Sequence, residues 1–493
     1  MSNARIAVSL DQPIATINPN IYGHFAEHLG ACIYEGVWVG EKSPIPNTGG
    51  MRNDVITALK KIAPPVVRWP GGCFADDYHW EDGIGPRANR PRRINVWWGD
   101  AIETNEFGTH EFVRFCDLIG AEPYICGNVG SGSPRELRNW AEYCNFAGDS
   151  TLARARAANG HAEPFRAKFW GVGNENWGCG GHFSAEDYAK EYKRFSTYLR
   201  DFSDNKLCLV ACGPAGNNPD WTRKFFSTLG TYHRIHGFAA HYYCGTAGTA
   251  TEYTVDEWYH LLWRSLEMET LVRQQRATMD SFDPERKIGL FVDEWGTWHP
   301  AAKGRNPAYL WQQNTLRDAL VAALTLDIFN RHADKVVIGN IAQTVNVLQA
   351  MILTDGAKML TTPTYHVYDM YQAHQGGQSV WMACEAEGIT FQSGGKNQRL
   401  PSLCGSASLK KKVLTLSIVN THATNTVEAA MELRGARCQE ATVTELVHTD
   451  IHAHNTFDAP ETVKPRTRKL QVSGPEWRYA FPPASVTVFN VPL

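Results

Sequence analysis

From about residue 20 to residue 375 short apolar runs alternate with longer stretches of helical periodicity. The runs fall at residues 21–25, 66–69, 123–127, 168–173, 207–212, 237–242, 288–292 and 336–341. Runs this short and this uniformly apolar suit parallel strands buried on both faces. The segments between them carry helix start signals. Ser133, Pro134 and Glu136 supply an N-cap, a first-turn proline and a capping-box acid. Ser184 with Asp187 and Thr254 with Glu257 repeat the pattern, and Asn218-Pro219 and Asn306-Pro307 offer two further entries. Eight strand–helix repeats predict an α/β fold, a closed (β/α)8 TIM barrel over residues 18–378. An open doubly wound sheet is the alternative, but no glycine-rich phosphate loop follows the first strand.

The pattern changes near residue 380. Strict alternation takes over, as at 413–419 and 485–491, with Gly, Asn, Asp and Pro between the segments. This predicts a C-terminal antiparallel β-sandwich over 379–493. The strand-like segment at 4–10 has no helix after it, so residues 1–17 are expected to add a strand to that sandwich. No low-complexity linker separates the two domains, which are therefore expected to pack rigidly.

Composition narrows the function classes. Among 493 residues 43% are hydrophobic and 20% charged, and the net charge of -3 comes without a like-charge run longer than Lys410-Lys411-Lys412. Neither a nucleic-acid partner nor a membrane surface is expected. The longest apolar runs, such as 319–324, fall far short of the roughly 20 residues of a spanning helix. The first residues lack the apolar core of a secretory signal, so a cytoplasmic location is expected. Twelve scattered cysteines without CxxC pairs read as mostly free thiols in a reducing compartment. Sixteen tryptophans, several beside glycines and acids, suit sugar stacking.

In a barrel of this kind chemistry sits at the C-terminal ends of the strands. Polar residues gather at those ends: Glu27 and His28 after strand one, Arg68 and Cys73 at strand two, Asn174-Glu175 at strand four, His241 and Tyr243 at strand six, Asp293-Glu294 at strand seven, Gln343 at strand eight. Either glutamate alone would read as a cap or a surface charge. Two of them, at strands four and seven and each followed closely by Trp, point to glycoside hydrolysis. That reaction needs one carboxylic acid to protonate the leaving oxygen and one carboxylate to attack the sugar carbon. Strand alternation turns Asp293 away from Glu294 and makes it structural. His24, Glu27 and His28 raise a metal site, but no second cluster matches it, and no metal is expected. Trp97 and Trp98 fit outer sugar subsites or plain packing.

Four segments in order, 23–28, 68–72, 171–175 and 342–347, resemble glycoside hydrolase family 51, most of whose members are α-L-arabinofuranosidases. The likeness spans essentially the whole chain. It implies that Glu175 is the acid/base and Glu294 the nucleophile of a retaining, exo-acting enzyme with no cofactor. It also implies that Asn174 holds the sugar 2-hydroxyl, Glu27 binds hydroxyls, Arg68 orients the carboxylates, Tyr243 bonds the nucleophile, Gln343 reaches the ring and Trp298 forms an apolar wall. His241 would help to place the nucleophile. Arabinofuranosyl oligosaccharides would be the substrate, and the assembly a homo-oligomer, a hexamer. One position departs from the family: many relatives have Asn where this chain has Cys73, whose thiol is a weak donor. Cys179 lies on the loop after strand four, and the sequence leaves open whether it pairs with Cys73. An endoglucanase or β-xylosidase on the same scaffold, and a non-catalytic sugar-binding protein, are the competing readings.

Overall fold

The computed structural model describes residues 4–232, 234–245 and 247–493. Among the described residues eight parallel strands close into a barrel: His24–Phe25, Val66–Trp69, Glu122–Gly127, Phe169–Val172, Cys208–Ala211, Gly237–Gly245, Gly289–Trp298 and Val336–Ala342. The eighth returns to the first, with Ile341 opposite His24. The run at 21–25 is only partly a strand. Asn18 caps a 3-10 turn at Pro19–Tyr22, and two residues remain for the ladder.

The barrel interior is layered, and the layering prepares the site. Val66, Tyr124, Phe169, Val210, Ala239, Phe291 and Ile338 fill an apolar layer inside. Side chains two residues further along a strand point the same way. That parity aims Arg68, Cys126, His241 and Asp293 inward on the layer above, and all four are buried.

Four of the five expected helix entries form as N-capped helices: Ser133 accepts from Glu136 N–H, Ser184 from Asp187, Asn218 from Trp221, and Thr254 closes a capping box with Glu257. The fifth differs. Asn306 caps one 3-10 turn, Pro307–Tyr309, and the helix proper starts later, where Thr315 and Asp318 form a second capping box. That helix, Leu316–Arg331, is buried on every side through Asn330, as expected of an element enclosed between two layers. It packs between the barrel and the C-terminal sheet, where Asp327 accepts from Ser406 and Ser417 at 2.6 Å each.

The C-terminal sheet has nine strands among the described residues and includes the N-terminal strand Ala4–Thr16. This strand pairs antiparallel with Gln378–Glu385 and parallel with Val427–Arg434, the one parallel pairing in the sheet. The two edge strands, Arg466–Gly474 and Glu476–Phe481, lie close enough for Arg468 to donate to Tyr479 at 2.8 Å. The sheet therefore folds over its own core of Ile6, Leu414, Leu416, Ile418, Val443 and Phe489. No helix among the described residues is long and apolar enough to cross a membrane.

Candidate active site

Glu294 stands at the mouth of the barrel and is held on both carboxylate oxygens. Arg68 Nη1 donates to Oε1 at 2.8 Å and Tyr243 Oη to Oε2 at 2.9 Å. Burial, and then the charge of Glu294, pushes the Tyr243 phenol up, so it stays a donor. Glu175 lies three residues beyond strand four in a left-handed conformation, φ 40°. One of its oxygens lies within 4.8 Å of one on Glu294. Their surroundings differ. The Glu175 side chain is 21% exposed and that of Glu294 6%.

His241 sits between them. Its Nδ1 is 2.9 Å from Glu175 Oε1 and 3.5 Å from Glu294 Oε2, and its Nε2 is 3.1 Å from Asp293 Oδ1. Burial alone would lower its pKa, but Glu294, Asp293 and Glu175 together push it up to about 10. The ring is a cation that donates to Glu175 on one side and to Asp293 on the other. Asp293 is not turned away from the site. Strand seven carries one extra residue here, so that Ala239 faces Phe291 while His241 faces Glu294. The irregularity lets two consecutive acids both serve the interior. Asp293 also accepts from Tyr124 Oη at 2.7 Å; burial opposes its charge, yet Arg68 and His241 hold it below the usual carboxylate range.

Arg68 links the walls. Besides Glu294 it donates to Asn174 Oδ1 at 2.6 Å and to the Cys126 sulfur at 3.5 Å, and its guanidinium lies over the Phe25 ring. Glu27 accepts from Trp98 Nε1 at 2.9 Å, Phe74 N–H at 3.2 Å and Gln343 Nε2 at 3.2 Å. Burial, then the charge of Glu294, raises its pKa to about 7. Gly72 explains the Gly-Gly turn: a Cβ there would lie 3.2 Å from carboxylate oxygens of both Glu27 and Glu294. Trp298 is 38% exposed and meets Tyr243 edge-on at 5.1 Å, on the open side of the site.

The structure thus gathers Glu27, Arg68, Asn174, Glu175, His241, Tyr243, Glu294, Trp298 and Gln343. Cys73 is close too, but not as a thiol. It is bonded to Cys179, whose sulfur lies 3.9 Å from Glu175 Oε2 and 3.9 Å from Asn174 Nδ2. The pairing that the sequence leaves open is thus present, and the other ten cysteines are free, as the reading of mostly free thiols expects. The suggested metal trio is dispersed among other partners. His28 pairs with Glu103 at 2.7 Å and accepts from Trp69, while His24 packs against Tyr368.

Asp76 escapes the sequence reading, which leaves Trp98 between outer sugar subsites and packing. Asp76 is buried three residues after Cys73 and accepts backbone N–H groups of Val129, Gly130 and Asn174 at 2.7, 2.8 and 2.8 Å. It ties the loops after strands two, three and four together. A Cβ on Gly180 would meet Asp76 Oδ2 at 2.5 Å, so that loop needs glycine there. Trp98 faces inward to Glu27, whereas its neighbour Trp97 is 39% exposed.

Known proteins share this arrangement of chain. Residues 58–254 match the family described as α-L-arabinofuranosidase 1 domain, and residues 293–485 the α-L-arabinofuranosidase C-terminal domain. An intracellular exo-α-L-arabinofuranosidase of Bacteroides ovatus is 42% identical over 99% of this chain and 96% of its own. The crystal structure of a GH51 arabinofuranosidase from Xanthomonas axonopodis pv. citri superposes with a TM-score of 0.96 at 41% identity, covering 100% of both chains. An α-L-arabinofuranosidase from Thermotoga maritima, solved as an arabinose complex, gives 0.87 at 32% identity over 100% of both chains. With the fold, the barrel-mouth glutamates and full-length relatives in agreement, this chain belongs to the α-L-arabinofuranosidases of glycoside hydrolase family 51.

Proposed function

We propose that this enzyme releases terminal α-L-arabinofuranose from plant oligo- or polysaccharides by double displacement with retention. One observation carries the mechanism: Glu175 and Glu294 present carboxylate oxygens within 4.8 Å of each other. Retaining pairs stand about 5–5.5 Å apart, whereas inverting pairs leave roughly 6.5–9.5 Å for a water. The unequal surroundings support the roles. Glu294, fixed by Arg68 and Tyr243, is the aimed nucleophile. Glu175, more exposed and hydrogen-bonded to His241, can reach a leaving group and then a water.

In the first step Glu294 attacks the anomeric carbon, Glu175 gives its proton to the glycosidic oxygen, and the C–O bond breaks. In the second, Glu175 takes a proton from water, which displaces Glu294 from the sugar. Asn174, held by Arg68 and by Asp76, is placed to bind the 2-hydroxyl, and Glu27 and Gln343 the other hydroxyls. Trp298 flanks the departing sugar. No residue role in this scheme calls on a cofactor.

Hydrolysis of 4-nitrophenyl α-L-arabinofuranoside, measured beside the β-xyloside and carboxymethyl cellulose, tests the substrate. On the arabinofuranoside kcat/KM is expected to lead by at least about a hundredfold; a larger value on either competitor would overturn the substrate assignment. A cytoplasmic location is supported by the Bacteroides relative, whose name calls it intracellular. A hexamer is carried over from the family resemblance, and light scattering after gel filtration tests it.

A further inference from the structure

Among the described residues two groups of side chains have ligand atoms within 4.8 Å of one another: Glu175–His241–Glu294, and Cys73–Glu175–Cys179. The first is the catalytic pair with its bridging histidine. The second shares Glu175 and adds two sulfurs for which the reaction has no use. They join the turn after strand two to the loop after strand four, 106 residues apart in sequence. Both cysteines are only half-buried, so a reductant can reach them.

We propose that reduction of the Cys73–Cys179 disulfide converts this wall of the active site into a zinc site, formed by two thiolates and the Glu175 carboxylate, which withdraws Glu175 from catalysis. The redox step balances with a dithiol as the reductant. Its thiolate attacks one sulfur, forms a mixed disulfide, then closes on itself, leaving Cys73 and Cys179 as thiols and a cyclic disulfide as the oxidised product. Zinc binding then displaces the two thiol protons into solvent.

The donor set selects the metal. Two sulfurs and one oxygen suit zinc, which takes three protein ligands and leaves the fourth position to water, whereas magnesium and calcium take oxygen ligands. Zinc–sulfur bonds of about 2.3 Å and zinc–oxygen bonds of about 2.0–2.2 Å place tetrahedral ligands roughly 3.5–3.8 Å apart. The Cys179 sulfur is 3.9 Å from Glu175 Oε2 without any metal. Asn174 Nδ2, 3.9 Å from the same sulfur, is a ready donor to the thiolate. Only the effect on activity rests on reading Glu175 as the acid/base; zinc binding itself does not.

The test titrates the full-length protein with zinc chloride, before and after reduction with a phosphine that is then removed, with competition against a chromophoric chelator. The reduced enzyme is expected to gain two titratable thiols, to bind about one zinc per chain more than the oxidised enzyme, and to lose at least about tenfold in activity, restored by a chelator. Cys73→Ser and Cys179→Ser, checked for native circular dichroism, are expected to lose that zinc. Cobalt in place of zinc is expected to give a thiolate charge-transfer band in the reduced wild type alone. Equal zinc binding by oxidised and reduced protein would overturn the proposal and direct the metal to Glu175–His241–Glu294. Undiminished binding in both serine variants, or an unchanged thiol count, would overturn it as well. Zinc binding by the reduced protein, with no arabinofuranosidase activity in the oxidised, zinc-free protein, would instead contradict the proposed function.

Discussion

His241 is a residue whose charge follows from its neighbours. An unfolded histidine loses its proton near pH 6.5, whereas the native ring keeps it to about 10. The stability linked to that proton is fully present below about pH 6.5 and is lost as pH rises through about 10. Urea unfolding at about pH 7 and pH 10 is expected to show a loss of stability that is smaller in His241→Asn than in the wild type; an equal loss in both would contradict the cationic ring. Asp76 acts through the backbone. Asp76→Ala leaves the buried N–H groups of Val129 and Asn174, and the more open one of Gly130, without an acceptor, and a destabilisation of about 3 kcal/mol in denaturant titrations is expected. The variant is also expected to lose more kcat on poor leaving groups than on dinitrophenyl arabinofuranoside, because the misplaced group is the acid. Equal losses on both would leave Asp76 with a purely structural role. Residue types at strand ends made Glu175, Glu294, Arg68 and Tyr243 legible in the sequence. Asp76 was not, because an acid in a Cys-Phe-Ala-Asp-Asp turn reads as solvated until the fold brings Asn174 to it.

At the scale of elements, the barrel strands and four of the five helix entries could be read from short apolar runs and cap residues. What could not be read was local irregularity. Period-two alternation lets only one of Asp293 and Glu294 face the interior, and one extra residue on strand seven brings both of them there. The Asn306-Pro307 signal stops after one turn, and Thr315 with Asp318 starts the helix instead. The Gly-Gly turn after strand two is the element most tightly bound to the chemistry. Gly72→Ala is expected to push Glu27 and Glu294 aside by a few tenths of an ångström, lowering kcat/KM by roughly tenfold, short of the hundredfold that a misplacement of about 1 Å can cost. Activity within about twofold of wild type would show that the turn has room to spare.

For the whole molecule, the apolar helix Leu316–Arg331 offered no clue in sequence to which surface would cover it. It lies inside the chain's own fold, between barrel and sheet, so it is not available to another subunit. Its Asp327 is fully buried and accepts from Ser406, Ser417 and Tyr371, joining three elements across that boundary. Asp327→Ala is expected to cost about 3 kcal/mol and to lower the thermal midpoint seen by calorimetry; an unchanged midpoint would mean that apolar packing alone holds the two layers. The N-terminal strand was foreseeable as a partner of the sheet because no helix follows it, but its parallel pairing with Val427–Arg434 depends on contacts more than 400 residues away.

The central claim is that Glu294 attacks and Glu175 handles the proton. The anomeric configuration of the glycosyl azides formed by Glu294→Gly and Glu175→Ala in the presence of azide tests it most directly. Azide fills the nucleophile's place in the first variant and the water's place in the second. NMR of the products is predicted to give the β-L-arabinofuranosyl azide from Glu294→Gly and the α-anomer from Glu175→Ala. The same anomer from both, or the opposite assignment, would contradict the mechanism.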